Sequence, residues 1–198
     1  VKDDVAVKDS TYSTGRRGIA GTVFVHKIAG AAAESGAELS EVKRVAEKTI
    51  ANIRSMGMAM SPCTLPAIGK PGFSLADDEI EIGMGIHGEP GIERSSVKTA
   101  AEIADILCSK ILADYDYSGS EVAVLVNGLG ATPLMELYIL YGEVEKILAA
   151  KGIRIHKVFV GNYMTSLEMA GASLTLLKLD DELKAFLDAP CSTPALKI

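Results

Sequence analysis

The sequence predicts a mixed α/β fold, and three observations carry it. Glu79 to Ile86 reads E-I-E-I-G-M-G-I, polar or small residues alternating with apolar ones at the period of a half-buried strand. E-V-A-V-L-V from Glu121 is a short, nearly continuous apolar run, as expected of a strand covered on both faces. Between such runs lie longer segments whose apolar residues recur every three to four positions, as in amphipathic helices. Strands separated by helices require crossover connections, which places the chain among α/β proteins.

Taken in order, residues 18–35 are apolar nearly all round, which predicts a helix buried on most faces and stopped by Gly36. Ser40 is the expected cap of a second helix, in which Val42, Val45, Ala46, Thr49, Ile50 and Ile53 share one face. A short strand is expected at 56–60, then loops punctuated by Pro62, Pro66, Pro71 and their glycines. The alternating strand at 79–86 ends at His87. Ser96 is the expected cap of a helix through Ala101, Ile103, Ala104, Leu107 and Ile111, and Pro133 opens another to about Ala150. Residues 153–160 and 173–179 read as strands, and 180–187 as a short helix that enters through Asp180-Asp181-Glu182.

Composition limits the function. The chain has 198 residues, 48% hydrophobic and 23% charged, which is ordinary for a folded domain. With 20 Lys and Arg against 26 Asp and Glu the net charge is -6, which repels phosphate backbones, so no nucleic-acid partner is expected. No apolar run reaches membrane-spanning length, and residues 1–10 are charged rather than leader-like, so a cytoplasmic location and no membrane contact are expected. Cys63, Cys108 and Cys191 are odd in number, far apart and without a C-x-x-C pair, as in a protein with reduced thiols and no zinc site. The first residue is not Met, and the chain is read as starting inside a folded unit.

Two glycine-rich segments stand out. In G-M-G-I-H-G-E-P-G, from Gly83 to Gly91, glycines leave the single imidazole uncrowded while Pro90 and Gly91 turn the chain after it. A neutral imidazole presented in this way can add to a ketone through its lone pair; a structural His in a glycine turn is the commoner reading of such a segment alone. His26, on an apolar helix, and His156, along a strand beside Lys157, are read as structural. Three His so widely spaced do not suggest a metal cluster. The second segment, N-G-L-G-A-T-P from Asn127 to Pro133, joins strand to helix as a phosphate loop would. It lacks the third glycine and the G-K-[ST] ending, so a tight structural turn is the better reading. Arg16 and Arg17 could pair with a phosphate or carboxylate, or form a solvated corner or an interdomain ion pair; the last two are favoured.

These segments, taken with several others, resemble one family. Asp4 to Ser10 (D-V-A-V-K-D-S), Gly15-Arg16-Arg17-Gly18, C-T-L-P-A from Cys63 with Gly69-Lys70-Pro71, and G-I-H-G-E-P-G-I from Gly85 occur here in the order and spacing of the dihydroxyacetone kinase substrate-binding subunit family. Asn127 to Leu134, Tyr163 to Leu167 (Y-M-T-S-L) and Thr193 to Leu196 (T-P-A-L) continue the resemblance along the full length.

The resemblance implies a subunit that holds dihydroxyacetone as a covalent hemiaminal on His87, making His87 both the catalytic and the substrate-binding residue. It implies that residues 1–55 are the end of a first, parallel-sheet α/β/α domain, and 56–198 a smaller two-layer α/β domain with a mixed sheet. The family's second catalytic His and its Asp fall in the part of the first domain that is absent here, so these residues alone are expected to be inactive. It further implies a homodimer, and a partner nucleotide-binding kinase subunit carrying ADP or ATP, since no nucleotide motif lies in this chain and no cofactor or metal is expected on it. The ending after T-P-A-L favours the branch fed from phosphoenolpyruvate through the phosphotransferase system, in glycerol metabolism, over the branch with an ATP-binding domain on the same chain. The alternatives are a dihydroxyacetone-sensing paralogue that acts on a transcriptional regulator, and a scaffold chain whose glycine segments are only turns.

Overall fold

The computed structural model describes residues 1–9, 15–86 and 89–198. Its elements run α1 (Thr22–Glu34), α2 (Leu39–Ala51), β1 (Ile53–Ala59), β2 (Thr64–Leu65), β3 (Lys70–Pro71), β4 (Glu79–Ile82), β5 (Glu93–Ser96), α3 (Ala100–Asp114), β6 (Glu121–Gly128), α4 (Leu134–Ala150), β7 (Arg154–Gly161), β8 (Gly171–Leu179) and α5 (Asp181–Asp188). Among the described residues, six strands form one sheet in the order β5-β4-β1-β8-β6-β7, and β2 and β3 form a small separate ribbon. Only β6 and β7 run parallel, joined by the crossover helix α4; the other neighbours are antiparallel. The expected mixed α/β fold with a mixed sheet is therefore present.

The period of two along β6 divides the core. Val122, Val124 and Val126 face α3 and α4, together with Met56, Met58, Ile80, Ile82, Leu174 and Leu176. Ala123 and Leu125 face the other way, against Phe24 and Ile28 of α1, Val45 of α2 and Leu183 and Leu187 of α5. Helices thus cover both faces, and one of the two layers is built largely from the N-terminal segment. Position 55, where a domain boundary was expected, falls inside β1, and the residues on either side of it share this core.

The N-terminal residues extend the sheet. Asp4 bridges Ser55 in parallel, with Ser55 N–H donating to the Asp3 carbonyl (2.7 Å) and Val5 N–H to the Ser55 carbonyl (2.9 Å). The buried Asp3 carboxylate accepts from the N–H groups of Ile19 and Gly21 (both 2.9 Å) and from Ser55 Oγ (2.6 Å). The Asp3 side chain thereby ties the entrance of α1 to β1.

Several local expectations are corrected. Ser40 lies inside α2, whose N-cap is Glu38, and Ser96 belongs to β5, where it pairs with Glu79. The cap of α3 is Thr99, which accepts from Glu102 N–H while the Glu102 side chain accepts from Thr99 N–H, the reciprocal box that T-x-x-E encodes. β4 stops at Ile82 rather than 86 because Gly83 takes φ +79°, a conformation costly to a side chain, and the chain turns out of the ladder. Asp180 caps α5 through Leu183 N–H (2.9 Å), as the acidic run predicted.

Candidate functional site

The segment singled out around His87 connects β4 to β5. His87 and Gly88 lie outside the described residues, as do Ser13 and Thr14 before Arg16 and Ser10 at the end of the D-V-A-V-K-D-S segment. What the structure gives is the frame on both sides of them.

The base of the connection is closed by backbone and carboxylate together. Ile92 N–H donates to the Ile82 carbonyl (2.8 Å), Gly85 N–H to the Glu89 carbonyl (3.3 Å), and Gly91 N–H to Glu81 Oε1 (2.6 Å). Glu81 is 5% exposed, although strand alternation suggested a water-facing side chain; its second oxygen faces Arg94 Nε at 3.4 Å. A carboxylate buried in this way needs such donors to offset desolvation.

One flank of the connection is apolar. Met84 and Ile86 pack with Ala59, Cys63, Phe73, Leu129 and Met169. This cluster brings together three segments far apart in sequence: the C-T-L-P-A loop, the N-G-L-G-A-T-P turn, and the stretch just after Y-M-T-S-L.

The other flank is ionic. Arg17, 5% exposed, donates from Nε to Asp4 Oδ2 (2.8 Å), from Nη2 to the Gly83 carbonyl (2.6 Å) and from Nη1 to the Pro90 carbonyl (3.3 Å). Burial pushes the Asp4 carboxyl up to about 6, while Arg17 and the Ala6 N–H pull the other way. Arg16 turns outward and, with Arg54, grips Asp114 at the end of α3 (2.5–2.8 Å). Hydrogen bonding by Arg16 holds the Asp114 carboxyl below the usual carboxylate range. Sequence reasoning favoured a solvated corner or an interdomain ion pair for these two arginines. It missed the contact of Arg17 with the histidine-bearing connection, for which the only signal was a second doublet, Asp3-Asp4.

The second glycine segment is occupied by the fold itself. Asn127 is buried, donates to the Met164 carbonyl (2.8 Å) and accepts from Tyr163 and Met164 N–H (both 2.9 Å). Leu129 and Ala131 N–H donate to the carbonyls of Gly171 and Met169 (both 3.2 Å). Two of the donors that a phosphate loop would present are thus turned to the fold itself. His26 is exposed on α1, and His156, also exposed, contacts Asp188 Oδ2 at 2.7 Å. The three cysteines are free, and burial pushes the Cys108 thiol up to about 12. A cavity of about 650 Å³ lies between α1 and the C-terminal tail, beside Lys27 and Cys191. No helix among the described residues is long and apolar enough to cross a membrane.

Comparison with known proteins gives a consistent result. Residues 1–195 match the Dak1 domain. The chain is 56% identical over 183 residues to a protein from Listeria innocua named as the dihydroxyacetone-binding subunit of a phosphotransferase-system-dependent dihydroxyacetone kinase, covering 92% of this chain and 56% of that one. Among solved structures, a dihydroxyacetone kinase operon co-activator superposes with a TM-score of 0.88 at 36% identity, over 96% of this chain and 59% of its own. The dihydroxyacetone kinase from C. freundii, in complex with AMP-PNP and Mg2+, gives 0.83 at 34% identity, over 96% of this chain and 34% of its own. The chain thus spans little more than half the length of the subunit-type relatives it matches.

Proposed function

The chain belongs to the Dak1 domain family, and we propose that it forms the ketone-capturing part of a dihydroxyacetone kinase, with His87 as the residue that captures. The lone pair of one imidazole nitrogen adds to the C2 carbonyl carbon of dihydroxyacetone and the C=O π bond opens. The new alkoxide takes a proton, the other ring nitrogen releases one, and a neutral hemiaminal results. Selection follows from the chemistry: glycerol has hydroxyls of the same size but no carbonyl, so it forms no adduct. A terminal hydroxyl of the captured ketone then accepts a phosphoryl group from a nucleotide on a partner subunit, recharged ultimately from phosphoenolpyruvate.

The observation that carries the reading is the match of residues 1–195 to the Dak1 domain, with G-I-H-G-E-P-G on a connection whose two ends are held by buried polar groups. The likeness to the operon co-activator favours one second reading, a ligand-binding subunit that holds the ketone and passes a signal without phosphorylating it.

The test uses dihydroxyacetone labelled with carbon-13 at C2, added to the full polypeptide carrying these residues and to its His87→Ala variant. The expected result is a new resonance in the range of saturated carbon, absent in the variant and absent with labelled glycerol. A bound ketone that keeps its carbonyl shift overturns the hemiaminal. Phosphoryl transfer is then assayed with phosphoenolpyruvate and the phosphotransferase proteins plus a nucleotide-binding subunit, and separately with ATP. An adduct with no turnover under either donor establishes the signalling reading instead.

A further inference from the structure

Resting on the reading of His87 as the ketone's anchor, we infer that Arg17 is a positioning residue for it, a single buried guanidinium that fixes both ends of the histidine-bearing connection. The Gly83 carbonyl, four residues before His87, and the Pro90 carbonyl, three residues after it, are both acceptors of the same planar group, at 2.6 and 3.3 Å. A Cβ built on Gly85 would stand 2.9 Å from Nη1, so the guanidinium lies directly against the chain two residues ahead of the imidazole.

The division of donors argues for positioning over simple charge pairing. Asp4 engages Nε (2.8 Å), and the two outer nitrogens go to the loop. A lysine could neutralise Asp4, but its ammonium has no planar fork with which to hold two carbonyls seven residues apart in sequence. Asp4 is itself immobilised. Its Oδ1 accepts from Ala6 N–H (2.9 Å), its N–H donates to the Arg17 carbonyl (3.2 Å), and its neighbours Asp3 and Val5 are bonded to Ser55 in β1. A rigid path therefore runs from the centre of the sheet through Asp4 and Arg17 to both ends of the loop. Addition to a carbonyl needs the nitrogen within about 3–3.5 Å of the carbon along a narrow approach, and an error of about 1 Å can cost roughly a hundredfold.

The inference is tested on the full polypeptide with Arg17→Lys, and with Asp4→Asn/Arg17→Gln, which removes both charges of the buried Asp4–Arg17 pair together. Thermal unfolding confirms folding, and carbon-13 spectra separate bound ketone from hemiaminal. The expected result is a fall of at least tenfold in the ratio of hemiaminal to bound ketone in either folded variant, with non-covalent binding of the ketone little changed. General damage to the fold would lower both together. A folded variant with the wild-type ratio and rate of adduct formation overturns the positioning role. If the wild-type protein forms no adduct, the assignment of His87 fails first and takes this inference with it.

Discussion

The two glycine-rich connections are alike in composition and unlike in what surrounds them. In Asn127 to Pro133 the backbone is pressed against other backbone: Leu129 and Ala131 donate to the 169–171 segment, and Thr132 Oγ1 both donates to the Gly171 carbonyl (2.7 Å) and accepts from its N–H (2.8 Å). The connection from Gly83 to Gly91 is instead gripped at its ends by side chains, Arg17 on one flank and Glu81 beneath, with Met84 and Ile86 set into an apolar cluster. Glycine in the first case permits close packing. In the second, the ends are fixed and the segment between them carries His87. The difference teaches that glycine richness marks close approach, and that a functional reading depends on whether the approaching partner is the fold itself.

Three substitutions test this contrast, from the largest expected effect on stability downward. Arg17→Met should cost roughly 4 kcal/mol, because it leaves Asp4 buried without its cation, and Asp4→Asn in the same chain should recover much of that loss. Denaturant unfolding of the single and double variants measures it. Gly130→Ala should cost about 3 kcal/mol, since φ is +123° and a Cβ there would collide with the carbonyl of Leu167, backbone that has no easy retreat. A Gly130→Ala protein as stable as the wild type would show that this turn is looser than its contacts imply. Asn127→Ala should cost about 2 kcal/mol through the half-buried N–H and carbonyl groups of Tyr163 and Met164 that lose their partner. In the two variants of the Asn127 to Pro133 connection, ketone capture should fall only in proportion to the unfolded fraction. In Arg17→Met it should fall further, and that asymmetry is the sharpest form of the comparison.

Much of the framework was legible because it rests on local signals. The E-V-A-V-L-V run gave β6, three-to-four spacing gave α2 and α3, and the acidic doublet before Leu183 gave the cap of α5. Errors arose where two local signals competed: Ser40 and Ser96 are good caps by type, but Glu38 and the Thr99–Glu102 box define where the helices begin. The environment of the candidate site was legible only in part. Cys63, Met84, Leu129 and Met169 meet through tertiary packing that no spacing reveals. Glu81 fitted the polar phase of its strand, and nothing in E-I-E-I announces that the glycine N–H ten residues on would bury it. Arg17 was noticed as a residue but not as a clamp, because its acceptors in the connection are backbone carbonyls, 66 and 73 residues away, that carry no sequence signature.

The smallest predicted effect separates the two adjacent arginines by pH. Arg17 faces Asp4, whose carboxyl burial pushes up to about 6 from 3.8; Arg16 faces Asp114, whose carboxyl its hydrogen bond holds down. Between about 6 and 3.8 the native state holds a proton on Asp4 that the unfolded chain has lost, so Asp4's contribution to stability is present at low pH and disappears as pH rises through about 6. Asp114 has the opposite sign: its contribution is full above 3.8 and is lost as pH falls through the lower native value. Acidification from pH 7 to 5 should therefore gain about 1 kcal/mol from Asp4 while leaving Asp114's part intact, and further acidification below 4 should lose the latter. Asp4→Asn should flatten the first limb, and Asp114→Asn should remove the part of the second that belongs to Asp114, each measured as a difference from wild type in denaturant titrations at several pH values. If Asp4→Asn leaves the difference between pH 7 and 5 unchanged, the Arg17 guanidinium dominates over burial at that site, and Asp4 stays ionised beneath the histidine-bearing connection throughout this range.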